Sequence, residues 1–504
     1  MSRVTVRRLR ALSIAVAGAC LAYAALARPG GGQSYGGGDH GGGGGGDGDS
    51  GELLFFVVRL LFELCVAVPQ IGIPLTIMVV VGAVVWSRRA QSRASGNYDW
   101  DGPRARRPAW QPQPTDGPTP GFVRPGIGYR ALLSIDPDFS GVLFEDFAYA
   151  LFAAAQRARH DGARLAELAP YLDQQVRDEL ARRTPTGTPV LAVIVGAMRL
   201  KALSIDANQA RASFDIEANL LFDSGTMYVR ESWQLHRSAG VRSRPRAMRT
   251  FPCPNCGAPF ESTDSQRCRY CQQIVSNGRF DWSVSAAVLH EATDRPPALT
   301  GTVPERGTDL PTIFDPGFAA AWSAFSGQDP AVTSEAMGAR LALIHRETTG
   351  AWNAQDLAPA RGFVSDGLYD YLGYWITAYR QSALRNVVED ARLVRWEPVK
   401  LVSDRSYDAL TLRVFATGRD FTLDARGGVV GGDRSRPRDY SEYWTLIRGA
   451  SVRGAPRADK ACPNCGAELH IAMSGQCEYC KARVTSGNFD WVLSKIEQDD
   501  SYEG

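Results

Sequence analysis

Residues Cys462–Cys480 read C-P-N-C-G-A-E-L-H-I-A-M-S-G-Q-C-E-Y-C. Two C-x-x-C pairs stand eleven residues apart, the spacing of a four-thiolate zinc site. Cys253, Cys256, Cys268 and Cys271 repeat the arrangement. In both copies Pro follows the first Cys, Gly follows the second, and Tyr stands inside the second pair, at Tyr270 and Tyr479. In both, a Phe-Asp-Trp ends eleven residues past the last Cys, at Trp282 and Trp491.

A C-x-x-C turn aims two sulfurs at one point, and Gly257 and Gly466 tolerate the positive φ such a turn often needs. Two turns close a tetrahedron around Zn²⁺ with no position left for water, so two structural sites are expected rather than catalytic ones. A thioredoxin-type redox pair is the rival reading. It needs a βαβ context that the sequence lacks, and it does not explain matched pairs in duplicate.

Working outward, the 504 residues suffice for three or four domains. Lys plus Arg is 56 and Asp plus Glu is 54, a net charge of +2 that implies no global attraction to nucleic acid. Eight of the ten Cys belong to the clusters. The others, Cys20 and Cys65, lie in apolar stretches, so no disulfide framework remains and a reducing compartment is expected for the body.

The front end reads as membrane machinery. Residues 1–27 have a basic start (Arg3, Arg7, Arg8, Arg10), an apolar middle and the A-x-A site Ala25-Leu26-Ala27, as in a signal peptide; an uncleaved anchor is the alternative. Residues 28–52 form a Gly-rich linker. Residues 53–86 form the membrane segment, with 23 uncharged residues from Leu64 to Trp86, enough to span a bilayer. Arg88, Arg89 and Arg93 follow, which predicts a cytoplasmic body by the positive-inside rule. A basic Pro/Gly tether covers 87–135.

The body repeats one pattern. Phe144, Phe147, Leu151 and Phe152 recur at helical steps, and Leu165, Leu168, Leu172, Val176 and Leu180 predict a second helix. Phe214, Ile216, Ala218 and Leu220 alternate with Asp215, Glu217 and Asn219, as in a half-buried strand. After Leu310 the order returns: helices at Phe318, Met337 and Leu368, then strands at 391–402, 410–416, 418–423 and 440–447. Leu168-Ala169-Pro170 matches Leu357-Ala358-Pro359, and Glu231-x-Trp233-x-Leu235-x-Arg237 matches Glu442-x-Trp444-x-Leu446-x-Arg448. Each set of four shares one strand face, and Glu231 and Glu442 are expected to hold Arg237 and Arg448 across the sheet surface. The expected fold class is α+β: two domains of helices on a curved antiparallel sheet, at 136–250 and 313–458. Zinc ribbons follow at 251–285 and 459–494, with a linker at 286–312 and a tail at 495–504.

On Phe139–Leu180 with Leu168-Ala169-Pro170, and on Ala351–Leu372 with Trp352, Asp356 and Leu357, the chain resembles bacterial relatives of the forty-four-kilodalton subunit of the mitochondrial inner-membrane import translocase. The resemblance implies the cone-shaped fold of the nuclear-transport-factor-two-like group. It covers residues 136–240 and 315–450. The ribbons depart from that subunit, and its chaperone-recruiting segment has no counterpart here.

Six His are present, and none forms H-E-x-x-H or a pair with a nucleophile. Asp215, Glu217 and Glu231 are candidates to line a pocket, against the plainer reading of a solvated strand face. Arg267 and Arg269 in the first ribbon are offset by Glu261 and Asp264, so nucleic acid is not the expected partner. The sequence thus predicts a non-catalytic, single-pass scaffold of a bacterial inner membrane that binds protein or lipid at its cytoplasmic face. The alternatives are an enzyme using a cone pocket and an RNA-contacting protein acting through its ribbons.

Overall fold

Strict alternation builds the first sheet. In β2 (Gln209–Phe222), Ala210, Ala212, Phe214, Ile216, Ala218 and Leu220 are buried on one face, while Arg211, Asp215 and Glu217 lie on the other. β1 (Ala192–Ile205), β2, β3 (Gly225–Ser238) and β4 (Ser283–Asp294) form an antiparallel sheet in chain order. Helices α1 (Arg130–Ile135), α2 (Gly141–Ala158), α3 (Gly162–Glu167) and α4 (Gln174–Arg182) supply the rest of its core, with Phe144, Leu151 and Phe152 against Phe214 and Trp233. The single helix expected over 165–180 is two pieces, because Pro170 has no N–H to continue the ladder.

The second half repeats this order. Helices α5 (Phe318–Gln328), α6 (Ser334–Ala354) and α7 (Asp366–Gln381) precede β5 (Arg385–Ser403), β6 (Tyr407–Leu423), β7 (Val429–Gly432), β8 (Arg438–Gly449) and β9 (Val492–Gln498). The sheet order is β5-β6-β8-β9, with β7 beside β6. The two strands expected at 410–416 and 418–423 are one, and β7 was not foreseen. This computed structural model describes residues 128–183, 185–244, 251–260, 267–276, 278–294, 299, 308, 310–499 and 502–504. The signal peptide, Gly linker, membrane segment and nearly all of the tether expected from the sequence lie outside the described residues. Among the described residues no helix is long and apolar enough to cross a membrane.

Each four-cysteine segment is an insertion rather than an appendix. The chain leaves β3, makes the first cluster, and returns as β4 on the edge of β3; β8, the second cluster and β9 do the same. Residues 286–294, expected as linker, are therefore strand. The return is fixed twice. Gly278 and Gly487, at φ 67° and 76°, come so close to the preceding strand that a Cβ would stand 2.8 Å and 2.9 Å from the His236 and Ile447 carbonyl oxygens. A residue shortly after each Leu-Ala-Pro, three past its start in the first half and six past in the second, then zips onto the returning strand. Val284 N–H donates to Tyr171 O and Leu493 N–H to Phe363 O, at 2.8 Å and 2.9 Å.

The expected Glu231–Arg237 and Glu442–Arg448 surface pairs are not formed. All four side chains point into the core and are buried. Glu231 pairs with Arg183 at 2.5 Å and accepts from Gln156 Nε2 and Trp233 Nε1, both at 2.7 Å. Glu442 accepts from Trp444 Nε1 at 3.0 Å. Each arginine reaches the other way, to an aspartate at the end of its first helix: Arg237 to Asp136 at 2.9 Å and Arg448 to Asp329 at 2.8 Å. Its guanidinium also covers the returning indole, Trp282 at 5.0 Å and Trp491 at 4.7 Å from the ring centroid. Glu231 and Arg237, like Glu442 and Arg448, share a strand face but stand six residues apart, about 20 Å along the strand, too far to pair.

Two predictions follow from these interiors. Arg237→Met strands the Asp136 carboxylate in the core and should cost about 3–5 kcal/mol in urea-induced unfolding. In the second half His345 stacks on Trp444 where Phe152 meets Trp233, and its Nε2 lies 3.2 Å from Tyr440 Oη. Burial holds the imidazole down to about 4, against about 6.5 in the unfolded chain. The unfolded state therefore takes up the proton first as pH falls, and stability should drop between about pH 6.5 and 4 by up to about 3 kcal/mol. His345→Phe should flatten that portion of a stability–pH curve.

Candidate metal centres

Each cluster is made by two backbone turns. In the first, Gly257 N–H donates to Cys253 O and Gln272 N–H to Cys268 O, both at 2.8 Å. In the second, Gly466 N–H donates to Cys462 O and Lys481 N–H to Cys477 O, at 2.8 Å and 2.9 Å. The residue closing each turn has positive φ: 77° and 75° at Gly257 and Gly466, as read from the sequence, but also 58° at Gln272 and 60° at Lys481. The second turn thus tolerates a side chain in the left-handed region, which is why no glycine marks it.

The sulfurs converge. Cys253, Cys256, Cys268 and Cys271 lie with their Sγ atoms within 4.8 Å of one another, and so do Cys462, Cys465, Cys477 and Cys480. Across the two turns the separations are 3.8 Å (Cys253–Cys271), 3.9 Å (Cys256–Cys268), 3.8 Å (Cys462–Cys480) and 4.0 Å (Cys465–Cys477). Thiolates about 2.3 Å from a tetrahedral ion stand about 3.8 Å apart, so the donor set fits a metal held by all four. Soft sulfur in that geometry suits zinc or iron over calcium or magnesium.

The thiols are unequal. Burial pushes Cys253 and Cys462 up to about 12 and about 11. Hydrogen bonds from Asn255 and Asn464 draw Cys271 and Cys480 down to about 6, and Asn464 Nδ2 stands 3.3 Å from the Cys480 sulfur. These asparagines orient the ligands from outside the tetrahedron. The sequence signal for them was the identical Pro-Asn inside both first pairs.

The other candidate groups disperse. Asp215 and Glu217 lie on the outer sheet face, with Ser232 Oγ donating to Asp215 at 2.6 Å and Arg199 meeting Glu217 at 3.0 Å. Glu231 faces the core, so the three carboxylates line no common pocket. His236, on the face opposite Trp233, meets Asp173 at 3.2 Å. His470 pairs with Glu468 at 3.4 Å beside the second cluster and is not among its converging donors.

Residues 319–456 match the Tim44-like domain. The match runs from α5 to the loop after β8 and stops short of Cys462, so it takes in the second domain without its cluster or fourth strand. No curated protein matches the chain. A solved structure described as an "Ntf2 like protein involved in plasmid conjugation" aligns at 10% identity over 71% of this chain and 95% of that chain, with a TM-score of 0.16, a superposition too loose to carry an argument. The Tim44-like resemblance read from Ala351–Leu372 therefore holds for the second domain. The first shares its element order.

If both clusters hold an ion, the purified chain carries two equivalents of metal. Cys477→Ser should lower this to one and, in hydrogen exchange, deprotect β9 while leaving β1–β4 unchanged.

Proposed function

We propose that the chain is a non-catalytic scaffold, anchored by residues 53–86 in a bacterial inner membrane. It offers two metal-stapled α+β domains on the cytoplasmic side to bind a protein or lipid partner. The observation that carries this reading is the match of residues 319–456 to the Tim44-like domain. Further support comes from the domain interiors. The positions between helices and sheet are occupied by Phe152 and Trp233 in one domain and by His345 and Trp444 in the other, and the Arg–Asp pairs act as struts. Zn²⁺ in both clusters is part of the proposal. It ties each returning strand to its sheet, because metal binding in such small sites is folding free energy of about 10 kcal/mol.

Anchoring rests on the uncharged run Leu64–Trp86 and the arginines after it. The test is photocrosslinking in intact membranes of the producing cell, followed by identification of the neighbours by mass spectrometry. A reproducible protein or lipid neighbour, with the chain in the inner-membrane fraction, is expected. Recovery in the soluble fraction, or turnover of a small molecule by the purified chain, sinks the reading.

A further inference from the structure

The second domain carries a segment of the chain across the outer face of its sheet. Residues 310–313 belong to neither helix nor strand. Arg413 Nη1 donates to Leu310 O at 2.8 Å and to Thr312 Oγ1 at 2.9 Å. Thr312 Oγ1 donates in turn to Glu397 at 2.7 Å, and Tyr443 Oη accepts from Ile313 N–H at 2.9 Å. The threonine hydroxyl thus sits between a guanidinium and a carboxylate, accepting from one and donating to the other. The Leu310 side chain is 43% exposed, so that position contributes mainly its carbonyl.

The same face of the first domain keeps the pair with its signs exchanged. Arg199 of β1 stands opposite Asp215 of β2, where Glu397 of β5 stands opposite Arg413 of β6. A hydroxyl that needs one donor and one acceptor is served by either arrangement. Both side chains have room for it. Among the described residues the Asp215 carboxylate accepts only through Oδ1, from Ser232, and the Arg199 guanidinium donates only from Nη1, to Glu217. Asp215 is half-buried and the Arg199 side chain is 25% exposed.

The sequence ahead of the first domain holds a matching segment. Asp116-Gly117-Pro118-Thr119 repeats the pattern of Asp309-Leu310-Pro311-Thr312. The first precedes Tyr129 and Asp136 by the same intervals at which the second precedes Trp322 and Asp329, with no gap. Those positions correspond in the fold: Tyr129 and Trp322 pack with their cores, and the aspartates hold Arg237 and Arg448. Where the segments differ, the sheets differ with them. Pro120, which has no N–H, replaces Ile313, and Ser232 stands where Tyr443 accepts that N–H. Residues 116–120 lie outside the described residues.

We propose that Gly117–Thr119 docks across β1 and β2 as Leu310–Thr312 does across β5 and β6. Thr119 donates to Asp215 and accepts from Arg199, and Gly117 O accepts from the same guanidinium. The tether is thereby fastened to the domain it leads into, which leaves residues 87–115 between that contact and the membrane segment expected from the sequence. Only the β1–β2 part of the face is taken; Val288 and His290 of β4 stay exposed. The apolar cluster of Ile313 with Val399, Tyr443 and Tyr502 has no counterpart at Pro120, Lys201 and Ser232, so the first segment is held by polar contacts. The inference rests on the repeat and not on the scaffold reading.

The test uses the full metal-loaded chain in detergent, with p-benzoylphenylalanine in place of Pro118. On irradiation the probe should crosslink within its own chain to residues 197–217, as the same probe in place of Pro311 should to residues 395–415. Thr119→Val should lower the first crosslink at least about fivefold and leave the second unchanged, because a hydrogen bond to a charged group is lost. Arg199→Glu combined with Asp215→Arg, which writes the second half's pair into the first, should preserve it. Crosslinks to a second copy, to detergent or to other parts of the chain overturn the proposal, and so does a yield that Thr119→Val leaves unchanged. Loss of the crosslink in the double variant, with circular dichroism unaltered, overturns it as well. A membrane neighbour recovered alongside any of these failures leaves the scaffold reading standing.

Discussion

A guanidinium held between a buried carboxylate and an indole is the contact on which each domain depends. Arg237 and Arg448 leave the third long strand of their sheets, reach the aspartate that ends the first helix, and roof the tryptophan through which the chain comes back from its cysteine cluster. Three segments far apart in sequence meet on one side chain. Lysine would not substitute, because its point charge lacks the flat face that stacks on the indole while its edge donates to the carboxylate. Such a pair adds little net stability over an apolar one of the same shape. Its value is geometric, since only one arrangement of helix, strand and returning chain leaves neither charge stranded.

The cysteine clusters stand in the two excursions that lead to that meeting. Between β3 and β4, and between β8 and β9, the chain makes long excursions with little core of their own. Closing a loop of that length costs conformational entropy that grows with its length. A metal held by four thiolates would remove much of that freedom. Gly278 and Gly487 then let the backbone approach the preceding strand where any Cβ would strike a carbonyl oxygen. Cluster, glycine and tryptophan thus follow one another along the chain, and the fourth strand is the element they lead onto the sheet.

Much of this was legible in the residues. The spacing of eight cysteines predicted two tetrahedral donor sets, and strict alternation in β2 predicted its buried face. The repeated Glu-x-Trp-x-Leu-x-Arg predicted a shared strand face. Periodicity tells which way a side chain points, however, and not what it meets. It placed Glu231 and Arg237 on one face and so paired them, although their partners Arg183 and Asp136 come from helix ends far away in sequence. For the same reason the inserted position of the clusters was hidden. Ser283–Asp294 and Val492–Gln498 read as ribbon ends running into a linker and a tail, and only a sheet with an open edge at β3 and β8 makes them strands. Asn255 and Asn464 were visible as a repeated letter, but their role needed the distance to the sulfur.

The Arg–Asp–Trp contact is common to the two halves, but their outer sheet faces differ. On the outer sheet face Arg199 is opposite Asp215 in one, and Glu397 is opposite Arg413 in the other, so the charges are exchanged across the same pair of strands. The exchange has consequences. Arg413 meets Asp499 at 2.8 Å and is sealed by residues 310–313 and by Tyr502 stacked on Tyr443 at 3.8 Å. Asp215 instead shares Ser232 with the exposed His290. A core interaction cannot drift this way, because Arg–Asp–Trp must be changed as three residues at once, whereas a surface pair can be inverted, covered or opened one side chain at a time. One half has thereby closed its outer sheet face, and the other presents it. A partner that distinguishes the halves can do so on this face, where the charges are inverted.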